Sequence, residues 1–314
     1  MPEWLVEAGI GETRFAEIAE SRIRAARILP DSILPAGSVV DARLIAVAPQ
    51  PLARLDDGQE VLLTRRPGGI SEGARFPLQI TRPALPGPEP WKRALGSHFL
   101  GERIGGGVDA IELPFPPAGK DRLADLGWDD LIEEASSGIV RFAGGELRLA
   151  WTPAMTVIDV DGRLPAADLA VAGARAAGEA ILRLDLQGSI VIDLPTTSGK
   201  APRQAAADAL DAAMVGESFE RTAVNGFGLL QVVRPRRRPS LLELALDPPA
   251  FAARALLRLA ATQGHGRATL AAHPAVIAVI EKNDPWLATL SRQRGGEITL
   301  RADPSLAISG GHVS

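Results

Sequence analysis

Apolar positions recur along the chain with two periods, and the switches between them divide it into elements. Residues 4 to 30 alternate apolar and polar around a Gly-Ile-Gly turn, which predicts a β-hairpin followed by a further strand. Gly9 and Gly11 belong to that turn rather than to a nucleotide loop. From Ala36 to Thr81, runs such as SVVDARLIAV, EVLLTRR and FPLQIT are separated by glycine-containing turns, the pattern of a small β-barrel. The proline-rich RPALPGPEPW that follows cannot pair in a central strand and closes that unit.

Residues 93 to 150 hold GERIGGGVDAIELPF, a helix-like KDRLADLGWDDLIEEAS and a strand-like ELRLAW. The glycine triplet at 105–107 reads as a turn between strands, with a phosphate cradle as the functional alternative. Two β-branched runs come next, Val157-Ile158-Asp159-Val160 and Ile190-Val191-Ile192-Asp193-Leu194, separated by the Ala/Leu-rich stretch from Ala166 to Leu184. Strand, helix and strand at this spacing predict a right-handed βαβ unit with parallel strands. A helix over Pro202 to Val215 and a strand in GFGLLQVVR follow. Helices over 249–263 and 273–293 then alternate with strands RATLAA and EITLRA. The expected class is α/β in an α+β multidomain arrangement. Its units are N-terminal strands at 1–35, a barrel at 36–92, a connecting region at 93–145, the βαβ-containing sheet at 146–244 and a small C-terminal α/β domain at 245–314.

Asp159 and Asp193 occupy equivalent places near the carboxyl ends of the two runs, the edge where open α/β sheets hold ligands. Two carboxylates a few ångströms apart repel, and a divalent cation is the usual remedy. Magnesium takes one or two carboxylates together with water and phosphate oxygens, which suits phosphodiester chemistry. The plainer alternative is that each aspartate ends a strand and caps the next turn. The run Arg234-Pro235-Arg236-Arg237-Arg238 directly follows the third strand. It would bring four guanidinium groups, Arg234, Arg236, Arg237 and Arg238, to the same sheet edge for phosphate binding, or else form a solvated basic turn. TSGK at 197–200 is not a P-loop, because Leu194 stands where that motif needs its first glycine.

Composition narrows the chemistry. The 314 residues contain no cysteine and four histidines, so disulfides, thiolate nucleophiles and cysteine-based zinc sites are excluded and oxygen-ligated metal is favoured. No stretch is long and apolar enough for a bilayer, and the start lacks the basic head and apolar run of a secretory signal, so a cytoplasmic protein with no membrane partner is expected. A net charge of −4 and the absence of tyrosine leave nucleic-acid binding to local patches and a few Phe or Trp platforms.

The order TPAMTVIDVDG, RLDLQGSIVIDL, GFGLLQVVRPRRRPSL resembles the catalytic region of the ribonuclease E/G family, from about Gly127 to Leu241. The resemblance implies a metal-dependent endoribonuclease in which Asp159 and Asp193 hold Mg²⁺, with Mn²⁺ as an alternative. The ion would activate water for attack on single-stranded RNA, leaving 5′-phosphate products. It also implies an OB-like, RNA-binding barrel and N-terminal strands, with residues 93–145, that join a reduced RNase H-like subdomain. The chain departs from the family at several positions. Asp161 replaces a usual asparagine and becomes a candidate third metal ligand, Gln231 replaces a glutamate, and Leu184-Asp185-Leu186-Gln187-Gly188-Ser189 stands for a Leu-Arg-Asp-Leu-Gly-Gly pattern. Without cysteine there is no zinc link, so any homodimer is not bridged by zinc. The competing expectation is a noncatalytic RNA-binding protein of the same fold.

Overall fold

The computed structural model describes residues 3–86, 92–101, 110–117 and 120–314, so the glycine triplet at 105–107 and part of the proline-rich stretch lie outside the described residues. In chain order the strands are β1 (Glu3–Ala8), β2 (Glu12–Ala19), β3 (Arg22–Pro30), β4 (Val39–Ala46), β5 (Leu52–Arg54), β6 (Glu60–Leu63), β7 (Arg75–Arg82), β8 (Ala94–His98), β9 (Ile111–Leu113), β10 (Ile139–Phe142), β11 (Gly145–Trp151), β12 (Thr156–Gly162), β13 (Gly188–Asp193), β14 (Glu220–Arg221), β15 (Leu229–Arg234), β16 (Ala268–Ala272), β17 (Ile298–Ala302) and β18 (His312–Val313). The helices are α1 (Arg122–Asp125), α2 (Trp128–Ser137), α3 (Ala166–Arg183), α4 (Lys200–Ala213), α5 (Leu241–Leu244), α6 (Pro248–Thr262), α7 (Pro274–Glu281) and α8 (Asp284–Arg294). The fold is mixed α/β, and no described helix is long and apolar enough to cross a membrane.

One compact unit is assembled from Met1–Ser32, Asp109–Ser136 and Leu241–Ser314. The expected hairpin forms: β1 and β2 pair antiparallel, and the Gly9 amide donates to the Glu12 carbonyl across the turn at 2.9 Å. Its sheet has the order β3-β2-β1-β9, with β9 parallel to β1. The last part of the chain adds a sheet of order β17-β16-β18 with α6, α7 and α8. Its core of Leu256, Leu257, Leu270, Ile277, Ile280 and Leu290 also takes in Ile10 from the hairpin turn. The N-terminal strands and the C-terminal segment therefore share one core, where the sequence pattern had separated 1–35 from 245–314. The helix expected over 273–293 is two helices, because Pro285 in the first turn of α8 cannot donate to a continuing ladder. Buried charges at the base of the hairpin are paired. Glu12 accepts from Arg14 Nε at 2.6 Å and from Arg254 Nε at 2.9 Å, and Arg258 links Glu7 to Asp121.

Ile33–Val108 and Ser137–Ser240 form the second unit. Strands β4, β5, β6, β8 and β7 close into a five-stranded barrel around Leu44, Val61, Phe76, Leu78 and Ile80. Its closing strand β8 runs to His98, beyond the boundary expected at 92. The same unit contains a six-stranded sheet of order β10-β11-β12-β13-β15-β14. As predicted, β12 and β13 are parallel and joined by α3. Alanines and glycines at Ala170, Gly173, Ala174 and Ala177 are buried on α3 and let its backbone lie close against the sheet. A Cβ at Gly173 would come within 2.3 Å of Val160 Cγ1, so no larger residue fits there.

After α3 the chain turns through Asp185, whose φ of +51° is tolerated better by Asp and Asn than by most residues. Its carboxylate is 4% exposed and accepts from Arg238 Nε at 2.5 Å. Two residues on, Gln187 Oε1 accepts the backbone N–H of Arg237 at 2.6 Å and that of Arg238 at 3.3 Å. Asp185→Asn keeps the backbone preference but removes the buried negative partner of Arg238. We expect it to lower unfolding free energy by about 3 kcal/mol, read as a fall in the urea midpoint; an unchanged midpoint would show that this pair does not hold the turn.

Candidate functional site

Alternation in the six-stranded sheet sorts side chains to two faces. Ile158, Val160, Ile190, Ile192, Leu230 and Val232 are buried on the face that α3 covers, while Asp159, Asp161, Asp193, Leu229 and Gln231 fall on the other. Register then fixes neighbours: Asp159 is the direct partner of Asp193, with Arg148 opposite Asp159 on β11 and Leu229 opposite Asp193 on β15. One row across the open face thus reads Arg148, Asp159, Asp193, Leu229. Gln231 lies in the neighbouring row, opposite Val191.

The two aspartates are on adjacent parallel strands about 4.8 Å apart. Partial burial raises the pKa of Asp159, and the charges of Asp161 and Asp193 add to that rise; the Val160 amide and Arg148 oppose it. Arg148 is shared, since its Nη2 also donates to Glu146 Oε1 at 2.6 Å. The strain is that of a carboxylate pair short of positive charge, and the donors are the hard oxygens that Mg²⁺ or Mn²⁺ accepts. Among the described residues no group of three acidic or histidine side chains is placed to hold a metal ion. Asp159 and Asp193 are the two carboxylates in direct register that could share a cation at this face. Asp161 is near enough to raise the proton affinity of Asp159 without completing a three-ligand cluster.

The arginine run is at the other edge. β15 runs antiparallel to β13, pairing Arg234 with Gly188 and Leu229 with Asp193. Five residues at roughly 3.3 Å each put Arg234 about 17 Å of strand away from the carboxylates. The third strand does lie beside the other two, but it runs antiparallel, so the arginines leave it at the opposite edge from the carboxylates. Arg234 is largely buried, which lowers its pKa, and donates to the Leu186 carbonyl at 2.7 Å and to Glu217 at 3.4 Å. Arg238 is taken up by Asp185, and Arg236 lies against Gly188 and close enough to Arg82 to depress the pKa of that guanidinium further. Arg237 is the exposed member. These arginines fasten the end of β15 to the turn after α3.

Other groups take their place at the carboxylate edge. β13 leads through Leu194 to Gly199, the N-cap of α4, so Lys200 and Arg203 sit in the first turn of that helix, where the backbone dipole is positive. Across from this loop, the turn between β14 and β15 is tied by Asn225 Oδ1, which accepts from Phe227 N at 2.9 Å and Leu229 N at 3.0 Å. The Leu194 amide donates to the Gly228 carbonyl at 3.2 Å, and Thr196 Oγ1 donates to that of Phe227 at 3.3 Å. Gly228 has φ +94°, and a Cβ there would be 2.1 Å from the Leu194 oxygen. Arg203 Nη1 lies 4.0 Å from the position of a Cβ on Gly226. Phe227 itself is 80% exposed. The sequence signal for these residues was a lone aromatic between glycines and a basic pair after a helix-starting glycine.

Asp159→Asn should raise the melting temperature of the metal-free protein at pH 7 by about 1–2 °C, by relieving roughly 0.5 kcal/mol of like-charge repulsion. The folded state holds the Asp159 proton more tightly than the unfolded chain does, so the repulsion is fully present above the folded pKa. It fades as pH falls through that value toward the ordinary carboxylate range. The gap between variant and wild type should therefore narrow on acidification. A gap of opposite sign, or one independent of pH, would mean that the pair carries no strain.

Compared with known proteins, the chain matches no family model, and no curated protein matches it.

Proposed function

We propose that this protein is a metal-dependent endoribonuclease that hydrolyses single-stranded RNA, with Asp159 and Asp193 as the ligands of Mg²⁺ or Mn²⁺. The observation that carries the reading is the direct register of these two carboxylates on the open face, with the proton affinity of Asp159 raised. The sequence resemblance to the ribonuclease E/G family supports it, and the strand–helix–strand order seen in the fold agrees with that resemblance. In this reading the five-stranded barrel is an OB-like RNA-binding domain and the N-terminal strands belong to a reduced RNase H-like subdomain.

Asp159 and Asp193 supply the negative oxygens that hold the cation, and Arg148 limits the charge of the row without neutralising it. When bound, the metal supplies an acidified water and a counter-charge for the phosphate oxygens. Lys200 and Arg203, in the first turn of α4 after the loop from Asp193, would supply positive charge to the phosphate. Attack of water at phosphorus breaks the bond to the 3′ oxygen, leaving a 3′-hydroxyl upstream and a 5′-phosphate downstream.

The second reading, a noncatalytic RNA-binding protein, draws on the inward use of Arg234 and Arg238 and on the substitution at Gln231. One experiment separates the two. Labelled single-stranded RNA is incubated with the wild type in Mg²⁺, in EDTA, and with Asp159→Asn and Asp193→Asn proteins prepared in parallel. Cleavage that disappears in EDTA and drops by at least about 10²-fold in each variant is the expected result. Wild-type rates in either variant would remove that aspartate from the mechanism, and RNA that is bound but intact throughout would establish the noncatalytic reading.

A further inference from the structure

Phe227 is the largest apolar side chain left open beside the carboxylate pair, and its setting is rigid. A phenylalanine 80% exposed forgoes burial that would stabilise the fold, yet its turn is tied by hydrogen bonds from both sides. The close approach of Gly228 to Leu194 fixes the turn against the end of β13. Phe227 is two residues from Leu229, the direct partner of Asp193, which is about 7 Å of chain. Arg203 reaches the same turn at Gly226. An aromatic face and a guanidinium thus share the turn that leads into the strand end beside Asp193.

We propose that Phe227 is a positioning residue on which the base next to the scissile phosphate stacks, with Arg203 holding the adjoining phosphate. The proposal rests on the endoribonuclease reading and adds the part of the substrate that the site grips. Stacking needs a base free of its own neighbours, so the platform selects single-stranded over duplex RNA and prefers purines, which stack more strongly. A hydrocarbon side chain of a protein partner is the competing occupant, but it would leave the cationic neighbour without a role.

The test uses the full chain and a set of short single-stranded RNAs of one sequence carrying 2-aminopurine at successive positions. Wild type, Phe227→Leu and Phe227→Trp are compared in Mg²⁺ for kcat, KM and quenching of the probe on binding. Stacking on an aromatic is worth enough that Phe227→Leu should raise KM about tenfold with kcat nearly kept and abolish the quenching, while Phe227→Trp restores both. Because the side chain is exposed, all three proteins should melt at nearly the same temperature. Mg²⁺-dependent cleavage with KM and quenching unchanged in Phe227→Leu overturns the platform and leaves the nuclease reading standing. Quenching that depends on Phe227 without any cleavage keeps the platform and removes the nuclease reading. A wild type that neither binds nor cuts the RNA removes both.

Discussion

The arrangement of the candidate site depends on one packing constraint, the close seating of α3 on β12. At Gly173 the helix backbone reaches the Val160 side chain, and this contact sets the height at which the crossover spans the sheet. β13 then pairs with β12 so that Asp193 stands beside Asp159. A one-residue slip would turn every side chain of β13 to the opposite face, burying Asp193 under α3 and exposing Ile192. The apolar alternation Ile190, Ile192, Leu194 opposes such a slip. Hydrophobic burial on one face thereby holds two like charges together on the other, which they would not choose by themselves.

Where the charges are held, the fold has separated two tasks that look alike in sequence. Arg234 and Arg238 are spent inside the protein, on carbonyls, on Glu217 and on Asp185. The basic residues at the start of α4, Lys200 and Arg203, follow the loop that leaves β13 at Asp193. Guanidinium groups fork naturally onto carboxylates and carbonyls, so a dense arginine run serves as well for fastening a strand end as for gripping phosphate. Only the direction of the strand that carries it decides which.

That direction is what the pattern of residues could not reveal. Alternation has the same period whether a strand runs up or down, so GFGLLQVVR was legible as a strand while the side on which its arginines emerge was not. The aspartate pair was legible because β-branched runs flanking a helix-length segment leave few options other than a parallel crossover. Phe227 was hidden for a different reason: between two glycines it has the appearance of any turn, and only the folded turn, held by Asn225 within it and by Thr196 from the loop after β13, shows it left open. The union of the N-terminal strands with the C-terminal segment was equally hidden, since each reads as a plausible small domain and the charge pairs between Glu12 and Arg254 span 242 residues.

Those distant pairs bear on how the protein is made. The second unit contains no residue beyond Ser240, so its barrel, its sheet and its aspartates are synthesised before α6. The first unit begins with the earliest strands and ends with the latest helices. Until α6 emerges, Glu12 has Arg14 but not Arg254, and Ile10 has no core to enter. In the nascent chain β1 and β2 are thus made long before α6, and the surroundings that bury Glu12 and Ile10 are complete only once that helix has emerged.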